Sequence, residues 1–84
     1  MNKRKPKKYL VVLAYAQGEV DGVRVYYFKY VSAWPKNPHD WGARFEISPD
    51  KGDAIRLGST TALEVANTIR MRNAAMATVM VEEA

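Results

Sequence analysis

Residues 9–32, YLVVLAYAQGEVDGVRVYYFKYVS, decide the fold. In the first part, Tyr9, Val11, Leu13 and Tyr15 alternate with Leu10, Val12, Ala14 and Ala16. Both sets are apolar, the pattern of a strand covered on two sides. Val11 and Val12 favour extended backbone. Gln17 to Gly22, QGEVDG, reads as a turn, because two glycines and an aspartate supply the backbone angles a reversal demands. The run VRVYYFKYVS then carries β-branched or aromatic residues at almost every position. Val23, Val25, Tyr27, Lys29 and Val31 point one way; Arg24, Tyr26, Phe28, Tyr30 and Ser32 point the other. The two runs predict a β-hairpin.

The eight residues before this hairpin, MNKRKPKK, allow another reading. A basic start, an apolar run and Ala14-Tyr15-Ala16 also outline a secretion signal. Such a signal needs an apolar core of about 7–15 residues, and Tyr9 to Tyr15 only reaches the lower bound, with a tyrosine at each end. Cleavage after Ala16 would also remove the first strand. The expectation is therefore a basic flexible tail over residues 1–8 and a single α+β domain over residues 9–84, with Pro6 marking the boundary.

Beyond the hairpin, AWPKNPHDWGA holds two prolines, Asn37 and Gly42 and reads as a loop or wide turn. A third strand is expected in ARFEIS, with Trp41, Ala43, Phe45 and Ile47 on one face and Arg44, Glu46 and Ser48 on the other. Pro49, Asp50, Gly52 and Asp53 end it, and AIRL (residues 54–57) is a short fourth strand or an extended lead-in. The segment GSTTALEVANTIRMRN carries helix signals. Thr61 and Glu64 have capping-box spacing. Ala62, Val65, Ala66 and Ile69 share one helical face. Arg70 and Arg72 suit the negative end of the helix dipole, and Asn73 is a natural stop. In ATVMVEE, Ala77, Val79 and Val81 alternate with Thr78, Met80 and Glu82, as in a closing strand. The fold class is α+β: a mostly antiparallel sheet of four or five strands with one helix packed on one face, in the order β-β-β-(β)-α-β.

With 84 residues and no cysteine, the chain has neither disulfide staples nor thiolate metal ligands and must rely on an apolar core; its composition, 48% hydrophobic, can supply one. No stretch approaches the roughly 20 apolar residues that span a bilayer as a helix. The net charge of +4 is a property of the tail, where Lys3, Arg4, Lys5, Lys7 and Lys8 carry five of the 13 basic residues. Residues 9–84 hold the other eight against nine acidic residues, a net charge of −1. A body so close to neutral argues against a broad basic groove and equally against an acidic decoy of nucleic acid.

No catalytic constellation emerges. His39, the sole histidine, is followed by Asp40, but neighbours in an extended chain point apart and no nucleophile motif accompanies them. His39 reads as an exposed loop residue. GEVDG lacks the ligand spacing of a calcium loop, and the glycines are too dispersed to cradle a phosphate. The expectation is a non-enzymatic protein without a cofactor. Its aromatic residues are the more informative feature. Tyr26, Phe28 and Tyr30 lie in line on one strand, as in proteins that stack bases on a sheet. Against that, a domain this small needs to bury large rings, so the helix over residues 61–72 is expected to pack on some of them. Trp34 and Trp41, with two prolines and His39 between them, form a stiffened loop of the kind that presents anchor residues to a partner. The alternative places Trp41 in the core with Phe45 and Trp34 as a cap on an open sheet end.

The layout AWPKNP…WGARFEISPDKGDAIRLGSTTALEVANTI…ATVMVEE resembles small accessory proteins of phages and prophages of Gram-positive bacteria. The resemblance is carried by Ala54, Arg56, Leu57, Ala62, Val65, Ala66 and Val79 to Glu83, and it extends in outline over residues 9–83. The two-tryptophan loop is not part of that pattern. The resemblance implies a protein made in a bacterial cytoplasm that binds and disables a host factor, as anti-CRISPR proteins do to an RNA-guided nuclease. Trp34, His39 and Trp41, with Tyr26 or Tyr30, are the expected contact residues. A rival expectation is a small nucleic-acid-binding module, with Lys3, Arg4, Lys5, Lys7, Lys8 and Arg24 on phosphates and the sheet tyrosines stacking bases. A third is a virion or assembly component that self-associates through an uncovered sheet edge.

Overall fold

The computed structural model describes residues 6–36, 44–73 and 77–84. A four-stranded antiparallel sheet, in the order β3-β2-β1-β4, carries one helix on one face. Strands β1 (Tyr9–Val20) and β2 (Val23–Ala33) form a long hairpin at the centre. The edges are β3 (Glu46–Ser48) and β4 (Thr78–Glu83), and helix α1 (Ser59–Asn73) lies between the last two strands in the chain. The expected α+β architecture is therefore the observed one.

The core forms where two periodicities meet. Val11, Leu13, Val31 and Val79 stand on one face of the sheet, and Ala62, Val65, Ala66 and Ile69 line the facing side of α1. All eight are buried, and among the described residues no polar or charged residue is buried with them. The alanines let the helix backbone approach the sheet, while Val65 and Ile69 fill the space between the strands. Tyr9, Trp34, Phe45, Ile55, Leu57 and Val81 close the margin of this cluster.

Several local expectations are corrected. The turn is not Gln17 to Gly22: β1 continues to Val20, and only Asp21 and Gly22 reverse the chain. Both have positive φ, 52° and 79°, the signature of the two-residue turn whose twist matches that of paired strands. Gly18 serves another purpose. The register slips between Ala16 and Gly18, so Gly18 sits at a β-bulge with φ 143° rather than in the turn. The helix starts at Ser59, so Thr61 is inside its first turn and does not cap it; the Ala62 amide donates to the Gly58 carbonyl at 2.9 Å. Within the described part of the third strand, only Glu46–Ser48 is paired. Residues 54–57 make no full strand; they are an extended lead-in. Leu57 exchanges backbone hydrogen bonds with Tyr9 at 2.7 and 2.9 Å, and the Ile55 amide donates to the Val31 carbonyl at 3.0 Å.

Of the expected tail, residues 1–5 lie outside the described residues. Lys7 and Lys8 run beside the last residues of the chain: the Ala84 amide donates to the Lys8 carbonyl at 2.9 Å, and Lys7 Nζ stands 3.9 Å from Glu83 Oε1. Among the described residues no helix is long and apolar enough to cross a membrane.

Candidate functional site

The helix covers less than the hairpin offers. Fifteen helical residues span about 22 Å at 1.5 Å each, whereas the twelve residues of β1 span about 40 Å at 3.3 Å each. Strand β4 pairs with β1 only as far as Ala14, and β3 pairs with β2 only from Tyr30 onward. Residues 15–20 and 23–29 therefore project as a two-stranded arm. Tyr15 and Tyr27 stack at its base on the helix side, with centroids 5.1 Å apart and planes within 10°. Lys29 Nζ lies 5.9 and 6.0 Å from the two ring centres, within cation–π range. Partial burial pushes the Tyr15 phenol above its ordinary pKa, and the Tyr27 phenol beside it adds to the shift.

The second feature is the face that α1 leaves open. Cross-strand partners share a face, and the pairs here are Val12–Tyr30, Ala14–Phe28 and Ala16–Tyr26 from β2, with Val12–Met80 from β4. These are the residues out of phase with the core set. The expected packing of the helix on Tyr26, Phe28 and Tyr30 is thus overturned. The helix takes the side where all three long strands offer compact aliphatic residues, and the rings are left on the other. Tyr26 is 42% exposed, Phe28 46% and Met80 39%. Leu10, Val12 and Ala14 are still buried, so β1 is covered on two sides as expected; on the open side its cover is the flanking side chains rather than a second layer.

The open face has relief. The large residues of β2 form a ridge, the small residues of β1 a trough, and Met80 of β4 a second, lower ridge. A hollow of about 400 Å³ lies along this trough, lined by Val12, Phe28, Tyr30 and Met80 with Glu82 at the rim. At one end Lys51, Gly52 and Arg56 close over Leu10, and Lys51 Nζ meets Glu82 Oε1 at 3.4 Å. At the other end, past the bulge, Arg24 Nε stands 4.0 Å from Glu19 Oε1. The described charges around the face thus include Arg24, Lys51 and Arg56 against Glu19 and Glu82, with Asp53 held beside Ser48 at the Tyr30 edge.

The sequence-predicted contact residues do not all come together. Tyr26 and Tyr30 are on the open face. Trp34 packs against the core margin with its ring centre 5.5 Å from that of Phe45, the sheet-end position of the alternative reading. His39 and Trp41 lie outside the described residues, as do Lys3, Arg4 and Lys5. Arg24 sits at the arm end of the open face, ion-paired, and Lys7 pairs with Glu83 at the opposite margin of the sheet. Two residues of the face, Phe28 and Met80, were missing from the expected contact set; period-two alternation already put Phe28 in line with Tyr26 and Tyr30.

The polar side chains that do meet serve the backbone. Ser48 Oγ donates to Asp53 Oδ2 at 2.8 Å and accepts from the Asp50 amide, and Asp50 Oδ1 accepts from the Gly52 amide at 2.9 Å. These bonds fasten the 3₁₀ turn at Lys51–Asp53. Among the described residues, no three acidic or histidine side chains gather around one point. No protein-family model, curated protein or solved structure matches this chain.

Proposed function

We propose that this protein is a non-enzymatic interaction module that binds a partner protein with the helix-free face of its sheet. The observation that carries this reading is the exposure of Tyr26, Phe28 and Met80 beside one apolar trough. Aromatic residues and methionine are enriched at the centres of protein–protein interfaces, where charged residues are depleted. The near-neutral charge of the face favours a protein partner over nucleic acid. A surface that tracks a single nucleic-acid strand combines stacking rings with a positively charged groove. Here the rings are present, but two of the three cations are each paired with a carboxylate.

The resemblance to phage accessory proteins supplies the class of partner: a host defence or nucleic-acid-processing protein in the bacterial cytoplasm, such as an RNA-guided nuclease, which the bound module disables. The test is cleavage by purified RNA-guided nucleases with and without the protein, alongside capture of binding proteins from bacterial lysate. Inhibition or specific capture that is lost in Phe28→Asp supports the reading. Partners retained equally by Phe28→Asp and Met80→Glu would refute the role of this face. Titration of labelled single- and double-stranded DNA with full-length protein and protein lacking residues 1–8 tests the nucleic-acid reading, which requires binding that weakens steeply with salt.

A further inference from the structure

The relief of the open face fits itself. We propose that, without another partner, two copies of the chain pack their open faces together about a two-fold axis parallel to the strands, running between β1 and β2. This rests on the reading of that face as a contact surface and names a second copy as an occupant.

The argument is geometric. Strands β1 and β2 are the two central strands, so this axis follows the midline of the sheet. A two-fold rotation about it lays β2 of each copy over β1 of the other. In each copy Tyr26 stands beside Ala16, Phe28 beside Ala14 and Tyr30 beside Val12. The rotation therefore sets every large side chain of the β2 ridge above a small one of the opposite trough. Tyr30 of each copy, set above Val12, enters the hollow between Tyr30 and Met80 of the other, and Phe28 lies above Ala14 beside it. At the arm end, Arg24 of each copy comes over Glu19 of the other, since these two also pair across β1 and β2. The strands of the two sheets stay nearly aligned, the common arrangement for two packed sheets.

Size sets the strength. From Val12 to Glu19 the face runs about 23 Å, and over most of that length only β1 and β2 form it, about 10 Å across, so each copy offers a footprint on the order of 250 Å². Twice that stays below the roughly 1,000 Å² of a stable specific interface. The dimer is accordingly weak and reversible and gathers only toward the upper end of the concentration range.

Sedimentation of the full chain from roughly 1 to 300 µM tests this. The expected result is a monomer–dimer equilibrium with no larger species. Phe28→Asp and Met80→Glu are each checked by circular dichroism for an intact fold; Phe28→Asp is expected to weaken it about 30-fold or more, as for a residue at the centre of an interface, and Met80→Glu, at its margin, to weaken it less. Charge reversal tests the axis. Arg24→Glu alone and Glu19→Lys alone each place like charges opposite one another and weaken self-association. An equimolar mixture of the two restores dimers, because each variant then meets its complement. A protein that stays monomeric at every concentration overturns the proposal, whereas the partner-binding reading is tested separately by capture with Phe28→Asp. Dimers insensitive to Phe28→Asp and Met80→Glu also overturn it, and a mixture no more associated than its components refutes the axis.

Discussion

Truncating Ile69 and Leu63 to alanine removes the same number of carbon atoms from one helix, yet the two changes should differ several-fold in cost. Ile69 is fully buried between α1 and the sheet, whereas Leu63 is 53% exposed on the far side of the helix. At about 0.8 kcal/mol per buried methylene, three lost carbons at Ile69 are worth about 2.4 kcal/mol in transfer free energy. The cavity left against Val11, Leu13 and Val65 raises this to about 3–4 kcal/mol, inside the range seen for such truncations. A chain of 84 residues has roughly 4–13 kcal/mol of total stability, so Ile69→Ala removes a quarter or more of it. The melting temperature should fall by about 12–30 °C. Leu63→Ala loses about half the transfer term, leaves no cavity and gains helix propensity, for a net cost below about 1 kcal/mol. Urea unfolding followed by circular dichroism measures both. Equal costs, or a larger cost at Leu63, would mean that α1 presents a different face to the sheet and that the open face is wrongly placed.

Gly22→Ala, at φ 79°, should destabilise the protein by about 1–2 kcal/mol and fray the arm first, which hydrogen exchange at Gly18 to Val25 would report. Arg70 Nη2 donates to the Val79 carbonyl at 2.8 Å; Arg70→Ala should cost about 1 kcal/mol in unfolding free energy and speed amide exchange around Val79. In an alkaline titration of phenolate absorbance, Tyr15 should ionise above the ordinary tyrosine value, and Tyr15→Phe should remove that late step. The sign follows from linkage: the folded-state pKa is raised, so the Tyr15 contribution to stability is complete below the ordinary tyrosine pKa near 10 and is lost as pH climbs through the folded value. Loss of stability on acidification that disappears in Tyr15→Phe would contradict this assignment.

Much of the fold was legible because two periodicities coincide without conflict. The 3.6-residue spacing of Ala62, Val65, Ala66 and Ile69 and the alternation of Val79 and Val81 with Met80 each pointed to one buried face, and the structure buries those sides. The hairpin tip was misread because Gly18 and Gly22 look alike in the sequence. One tolerates a bulge and the other a turn, and only Asp21-Gly22 has the two-residue form that matches strand twist. The helix start was misplaced because three hydroxyl residues in succession, Ser59, Thr60 and Thr61, offer overlapping capping patterns.

The candidate site was half legible. Alternation placed Tyr26, Phe28 and Tyr30 on one side of β2, but local pattern does not say which side a helix will choose when both are apolar. That choice was made at a distance, by β1 and β4, whose residues in phase with Val31 are the compact aliphatics Val11, Leu13 and Val79. The weight given to Trp34 came from its residue type. Its ring packs with Phe45 at the core margin because the chain leaves β2 directly beside the end of the helix–sheet interface.

The central claim is that the helix side of the sheet is core and the opposite side is the contact surface. Side-chain chemical shifts recorded while the captured partner protein is added test it most directly. The account predicts that the changes fall on Val12, Ala14, Tyr26, Phe28, Tyr30 and Met80. Changes confined to Leu63, Met71 and the rest of the outer surface of α1, with Phe28 and Met80 unmoved, would contradict it.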